Sequence, residues 1–188
     1  MAMATPPLDM TIVQTFARKV LGDLTAGQMA PLSVVADRLG LFQTLAEAGP
    51  ATAADVSECA RMNERYAREW LSAMACHGYI SYDRETEAFS LPAEHAYVLA
   101  DAESPLYLGS VFGMAESYWL HIDPLVDSFQ HGGGIPQVEY GQRFWSGLER
   151  FSAAGFRHFL CQEWIPALPS VDAALRAGGS VEIGRAHV

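Results

Sequence analysis

Apolar residues recur at spacings of mostly three to five between positions 8 and 49, beginning with Ile12 and Phe16. This spacing lays apolar stripes along α-helices. The stretches 22–25 and 40–41 each contain glycine, which predicts breaks between helices. The chain should therefore open with at least two helices, and the "GP" of "EAGPAT" should end the last of them.

Two short helices are predicted next. Thr52 with Asp55 three residues later is a capping-box variant that begins the first helix. Asn63 is a suitable N-cap for the second helix, "NERYAREWLSAMACHGY", and Gly78 is placed to end it. One face of this second helix should carry Tyr66, Trp70, Leu71 and Met74.

A β-hairpin should follow these helices, because the β-prone runs "YISY" and "AFSL" flank the polar turn "DRETE". Two small helices followed by a hairpin indicate a winged helix-turn-helix. Beyond one more short helix in "PAEHAYVL", the sequence changes at residue 106 to long, aromatic-rich helices, the first of which Pro124 should kink or divide. The predicted fold class is mainly α: a winged helix-turn-helix with one hairpin wing plus additional long helices.

The charge of the chain argues against nucleic acid as a partner. The formal net charge is −10, and half of the 188 residues are hydrophobic. In the second helix of the motif, Arg65 and Arg68 are offset by Glu64 and Glu69, and "DRETE" carries three acids against one arginine. Such a surface repels phosphates. We therefore expect the winged helix to serve packing and dimerisation instead of reading DNA.

Cysteine usage and the absence of targeting patterns predict a cytoplasmic protein that does not enter a membrane. Cys59, Cys76 and Cys161 have no paired spacing, which favours reduced thiols. "MAMATPPLDM" lacks a secretion pattern, and "PLYLGSVFGMA" is about half a membrane span. In "HFLCQE", His158 and Cys161 share a helix face but Glu163 does not, so no metal site is predicted.

The motifs "LGLF", "NERYAREWLSAM", "LPAEHA", "GGGIP" and "WIPALPSVDAALRAGGSV" occur in order over about positions 10–181. In this order and spacing the chain resembles the N-terminal region of a bacterial family of class I S-adenosylmethionine-dependent methyltransferases. Related domains in small-molecule O-methyltransferases pair two subunits and help close the substrate pocket. The resemblance implies a winged-helix dimerisation-type domain at 8–100, an aromatic-rich helical linker and substrate lid at 101–178, and the start of a Rossmann-like methyltransferase domain at 179–188.

The last residues, "GGSVEIGRAHV", bear on that third part. The resembled family continues here into a strand and a glycine-rich turn that approaches the cofactor, whereas Arg185, Ala186 and His187 follow the first glycine. "EIGRAHV" also resembles a translated sequencing adapter, so we expect 182–188 to be an artefact and the chain to be a fragment. The parent protein would use S-adenosylmethionine, whereas no catalytic residue, no cofactor-binding residue and no activity is expected of the fragment.

Aromatic residues of the later helices are the candidates for binding a methyl acceptor. A concave aromatic lining suits a flat organic molecule, although such rings also serve as core or interface packing. Neighbouring candidates for the lining are Tyr118, His121, Trp145 and His158. The residues predicted to contact substrate are Tyr140, Trp164, Trp119 and Phe144.

The predicted function is the dimerisation and substrate-pocket region of a methyltransferase that acts on a small organic molecule, with a homodimer as the expected assembly. Two alternatives stay open. One is a winged-helix transcriptional regulator whose aromatic helices bind an effector. The other is a stand-alone module that binds an aromatic ligand or dimerises.

Overall fold

A computed structural model describes residues 8–182 of the chain. Helices dominate this range, and its strands form one antiparallel hairpin, which confirms the predicted fold class. The elements in chain order are α1 Met10–Leu39, α2 Leu41–Ala48, α3 Ala53–Cys59, α4 Glu64–Cys76, β1 Ser81–Asp83, β2 Ala88–Ser90, α5 Ala93–Leu99, α6 Val111–Leu120, α7 Ile122–His131, a 3-10 turn Gln137–Tyr140, α8 Gly141–Gly155, a π segment Phe156–Trp164, and α9 Pro169–Arg176.

The first helix is longer than the sequence predicts. α1 runs without a break through 22–25, so the expected interruption there is wrong. A glycine costs a helix about 1 kcal/mol but does not forbid it, and Gly22 has open space around it. The predicted break at Gly40 is confirmed, since its φ of 65° is left-handed and ends α1.

The predicted helix caps of the winged helix are present. The hydroxyl of Thr52 accepts from the backbone N–H of Asp55, and the Asp55 carboxylate accepts from the backbone N–H of Thr52 at 2.8 Å. The side chain of Asn63 accepts from the first backbone N–H groups of α4. α4 ends at Cys76, two residues before Gly78, whose φ is 73°. Local capping chemistry therefore sets both helix starts.

One core lies between the C-terminal half of α1, helices α2–α5 and the hairpin. Trp70 is 3% exposed, and its indole Nε1 donates to the carbonyl oxygen of Leu32 on α1 at 3.0 Å. Tyr66, one turn earlier on α4, is 65% exposed. Helical spacing predicts which residues share a face of α4 but does not decide which of them the core covers.

The wing is a tight hairpin in which Tyr82 pairs with Phe89, with ring centroids 4.7 Å apart. Phe89 also exchanges two backbone hydrogen bonds with Ala51, at 2.8 and 2.9 Å. These bonds attach the wing to the segment between α2 and α3, so the wing is part of the winged-helix core.

A second helical layer packs on α1. α6 and α8 approach closely at Gly147, where an added Cβ would lie 2.9 Å from the carbonyl oxygen of Ser110. The predicted division near Pro124 is confirmed: α6 ends at Leu120, and Pro124 lies in the first turn of α7. Between residues 8 and 182, none of the helices has the length and apolar character required to cross a membrane.

Candidate functional site

Four aromatic side chains form a cluster at the end of α6, which we call the Tyr140 cluster: Tyr118, His121, Tyr140 and Phe144. The ring centroid of Tyr140 lies 4.9 Å from that of Phe144 and 5.2 Å from that of His121. Tyr118 meets both Tyr140 and Phe144 edge-on, at 6.3 and 5.9 Å. The ring of Tyr140 thus contacts the other three rings and joins them into one aromatic surface.

Hydrogen bonds to backbone carbonyl oxygens hold the Tyr140 cluster in place. The buried hydroxyl of Ser117 on α6 donates to the carbonyl oxygen of Tyr140 at 2.9 Å, which attaches the 3-10 turn to α6. The imidazole Nδ1 of His121 lies 2.6 Å from the carbonyl oxygen of Ser117 and so donates to it. Ser117 therefore holds the imidazole of His121 and the backbone of Tyr140.

A second aromatic site lies around Trp164 and shares no residue with the Tyr140 cluster. We call it the Trp164 cavity. Its volume is about 540 Å³. The indole of Trp164 lies 5.8 Å from the ring of Phe156 and 6.1 Å from that of Phe159. The lining residues are Val98, Pro105, Leu106, Tyr107, Leu108, Phe151, Ser152, Gly155, Phe156, Phe159 and Trp164.

The structure therefore divides the substrate-contact residues expected from the sequence. Tyr140 and Phe144 lie together, whereas Trp164 belongs to the other site. Trp119 is 41% exposed and takes part in none of the ring pairs found between residues 8 and 182. Trp145 packs edge-on against Phe144 at 5.2 Å. The contact of the four expected residues with substrate stays a prediction.

Several residues of the Trp164 cavity escaped the sequence analysis. Phe151, Gly155 and Phe159 recur at spacings of four, which could have indicated a shared helix face. Tyr107 lies in the loop before α6 and has no periodic signal. It is buried, and burial raises the pKa of its phenol.

A charged cleft of about 240 Å³ separates α1 from α6 and α8. Arg150 donates to Asp37 at 3.1 and 3.2 Å, and Arg38 pairs with Glu116. The hydrogen bonds that Arg150 donates to Asp37 raise the pKa of the Arg150 guanidinium above its ordinary value. Both arginines are already paired with acids, so the cleft serves to hold the two helical layers together.

The "HFLCQE" segment does not gather metal ligands. His158 Nε2 lies 2.7 Å from the carbonyl oxygen of Glu103, where it donates a hydrogen bond. Cys161 and Glu163 are exposed on the π segment. Within the described range, no group of three or more His, Cys, Asp or Glu side chains is arranged to hold a metal ion.

The surface that a winged helix would turn to DNA has no excess of positive charge. Arg68 on α4 is paired with Glu64 at 3.1 Å. At the wing, the Asp83 carboxylate accepts from the backbone N–H of Glu85 at 2.8 Å, and this bond chiefly lowers its pKa. The wing therefore presents an ionised carboxylate at its turn.

The fold is similar to that of known proteins. Residues 24–101 match the family described as "Rv2258c-like winged HTH domain", in agreement with the winged helix-turn-helix fold of this part of the chain. No curated protein matches the chain.

Solved structures share the fold over more of the chain. The mitomycin 7-O-methyltransferase MmcR is similar at a TM-score of 0.58 and 21% identity, over 78% of this chain and 46% of that protein. PigF, solved with SAH, is similar at 0.59 and 17% identity, over 87% of this chain and 57% of that protein. A candidate O-methyltransferase of Nostoc punctiforme PCC 73102 is similar at 0.57 and 15% identity, over 80% and 44%. The chain thus spans about half the length of the structures it matches.

Proposed function

We propose that this chain is the N-terminal dimerisation and substrate-pocket region of an S-adenosylmethionine-dependent methyltransferase that acts on a small organic molecule. The observation that carries the proposal is the extent of the fold match. The similarity to MmcR and PigF includes the aromatic helical layer as well as the winged helix, since it extends over 78% and 87% of the chain. A DNA reader would share only the winged helix with them.

The described residues do not fit the cofactor. A class I methyltransferase holds S-adenosylmethionine at a glycine-rich turn that follows a strand of a parallel sheet. Between residues 8 and 182 the strands are β1 and β2, which pair antiparallel in a two-stranded sheet. Gly184 and the rest of the final segment, with its expected artefact, lie outside the described residues. The donor site is therefore proposed to belong to a catalytic domain beyond this region.

For the methyl acceptor, we propose contact with the Tyr140 cluster. Tyr140 and Phe144 are half-buried and pack on each other, and Ser117 attaches the backbone of Tyr140 to α6, which favours a preorganised pair of rings. Aromatic walls stabilise flat organic molecules by stacking and by removal of apolar surface from water. Positioning of the acceptor in this way lowers the barrier to methyl transfer.

For dimerisation, we propose the N-terminal part of α1. Every residue from 8 to 28 is exposed, including large apolar side chains that cost free energy in water. Within 8–28 the charged residues are two acids and two bases, so a second copy is not repelled despite the net charge of −10. These apolar side chains are Leu8, Met10, Ile12, Val13, Phe16, Val20, Leu21 and Leu24.

The test compares two proteins by calorimetry. The longer protein that carries this region and its catalytic domain should bind S-adenosylmethionine at micromolar concentration and release S-adenosylhomocysteine when an acceptor is supplied. The 188-residue chain should show no micromolar binding. Tight binding by this chain alone, or a longer protein without transferase activity toward any small aromatic acceptor, would contradict the proposal.

A regulator that reads DNA is the second candidate, because residues 24–101 form a winged helix-turn-helix domain. The Arg68–Glu64 pair and the acidic wing count against it. A gel shift at low salt with duplex DNA separates the two candidates. A shift that weakens steeply as salt rises would favour the regulator, whereas no shift at 50 mM salt is expected for the methyltransferase region.

A further inference from the structure

The walls of the Trp164 cavity are tied together by specific bonds. The backbone N–H of Leu108 donates to the carbonyl oxygen of Val98 at 2.7 Å, which joins the loop before α6 to the end of α5. Arg157 donates to the Glu103 carboxylate at 2.6 Å, and His158 donates to the Glu103 carbonyl oxygen. These two bonds join the π segment to the same loop. The cavity is therefore held open by its own framework.

The interior chemistry of the cavity selects against charge. Its lining consists of aliphatic and aromatic side chains with Gly155, and polar groups come from Ser152 and Tyr107; no Asp, Glu, Lys, Arg or His is among these described lining residues. An ionised ligand would lose its hydration here without gaining a partner. A neutral ligand with one hydroxyl or carbonyl group would not carry that cost.

The shape and the rings favour a planar ligand. Trp164 meets Phe156 at 82° and Phe159 at 32°, so the rings present faces and edges around one space. Phe156 and Trp164 are 54% and 46% exposed, although residues of this size are normally covered. A volume of about 540 Å³ lies within the range of small-molecule sites. The cavity also borders a π segment, and π-helical turns occur frequently at functional sites.

We propose that the Trp164 cavity binds a neutral, planar compound of two or three fused aromatic rings. Binding by this chain needs no methyl donor. This binding is separate from the contact of the methyl acceptor with the Tyr140 cluster, and it does not rest on the proposed function.

Calorimetry on the 188-residue chain tests the proposal with three probes. 2-Naphthol is planar and neutral at pH 7, 2-naphthalenesulfonate has the same rings with a negative charge, and 2-decalol has the same carbon skeleton without planarity. We expect 2-naphthol to bind at least tenfold more tightly than either of the others. Absence of 2-naphthol binding overturns the proposal. Equal binding of the sulfonate overturns the selection for neutral ligands, and equal binding of 2-decalol overturns the selection for planarity.

Two variants locate the binding. An added Cβ at Gly155 meets only the Trp164 ring, at 3.6 Å, so Gly155→Leu should place its side chain in the cavity and reduce 2-naphthol affinity at least tenfold. Phe156→Ala removes a wall and should weaken binding by a similar factor. Phe129→Ala on α7, which alters an exposed ring outside the cavity, is the control and should bind as the unchanged chain does.

If Gly155→Leu fails to fold by circular dichroism, Phe156→Ala decides the matter alone. Unchanged affinity in a folded Phe156→Ala would place the ligand elsewhere and overturn the assignment. Failure of methyl transfer by the longer protein, in contrast, would remove the proposed function and leave this binding result standing.

Discussion

The Asp37 carboxylate accepts two hydrogen bonds from the guanidinium of Arg150, across 113 residues of sequence. This pair joins α1, which belongs to the winged helix, to α8 of the aromatic layer. Only the tertiary structure brings the two residues together, and the cleft around them lies between the two helical layers.

We expect Asp37→Asn to lower the free energy of unfolding by about 1 to 2 kcal/mol, because the bidentate pair is partly sheltered but Arg150 is half exposed. Asp23→Asn is the matched control, since Asp23 pairs with Lys19 on the open surface of α1 and should change stability by less than about 0.5 kcal/mol. Urea denaturation measures both. Equal effects would mean that the Asp37 pair contributes nothing beyond a surface contact.

Two positions on α4 should differ sharply in their response to alanine. Leu71 is fully buried in the shared core, so Leu71→Ala should cost about 2 to 5 kcal/mol through lost contacts and a cavity. Tyr66→Ala on the same helix should cost less than about 0.5 kcal/mol. Comparable losses in denaturant unfolding would show that Tyr66 is covered in solution, for example by a second subunit.

The close approach of α6 and α8 makes Gly147 sensitive to any side chain. Gly147→Ala would bring Cβ within 2.9 Å of both the Ser110 carbonyl oxygen and the Met114 Cγ, and should destabilise the protein by about 1 to 3 kcal/mol. Gly22→Ala on α1 meets open space and should stabilise its helix by up to about 1 kcal/mol. Opposite shifts of the thermal midpoint are expected. A neutral Gly147→Ala would show that the two helices are farther apart than described.

The capping box of α3 should contribute measurably to the free energy of unfolding. Thr52→Ala removes the cap and should cost about 1 kcal/mol at pH 7, whereas Ser57→Ala, within the same helix, should cost less than about 0.5 kcal/mol.

The hydrogen bond from the Thr52 hydroxyl, followed by that from the Thr52 backbone, lowers the pKa of Asp55 below its usual 3.8. The stabilisation from the ionised carboxylate is therefore complete above that value and is lost as the pH falls through the lowered pKa. The difference in unfolding free energy between the unchanged chain and Asp55→Asn should shrink in this acid range. A difference that stays constant down to pH 2 would contradict the role of the carboxylate.

The exposed half of α1 gives a direct test of the proposed homodimer. Light scattering after gel filtration should give a mass near twice 20.5 kDa for the unchanged chain. Phe16→Asp places a charge among the exposed apolar residues and should shift the mass to that of a monomer, whereas Gln14→Asp, at a position that is already polar, should leave the dimer intact. A dimer that survives Phe16→Asp would place the interface elsewhere.

The elements that could be predicted from the sequence are those with a strong local signal. Thr52, Asp55 and Asn63 act through neighbours two or three residues away, so the caps follow from the sequence itself. Prediction was less accurate where the structure depends on the surrounding residues and on packing. The glycine at 22 suggested a break over 22–25 that α1 does not have, because the helix formers around it maintain the helix in spite of the glycine cost.

The candidate site shows the same division. The sequence assigned Tyr140, Phe144 and Trp164 to one lining, because all three follow the glycine loop in an aromatic-rich stretch. Tyr140 and Phe144 are four residues apart and meet directly, as helical spacing implies. Trp164 is the last residue of the π segment, whose altered turn cannot be derived from the 3.6-residue repeat. It lines the cavity together with Tyr107 and Val98.

The sequence by itself determined the secondary structure of the winged helix, its caps, its hairpin and its lack of positive charge, because these depend on residues close together in the chain. Tertiary structure alone decided that Asp37 faces Arg150, that Gly147 must remain small and that the aromatic residues divide into two sites. The first two of these relationships join segments more than 30 residues apart. Their geometry depends on how whole helices pack, which no local pattern of side chains specifies.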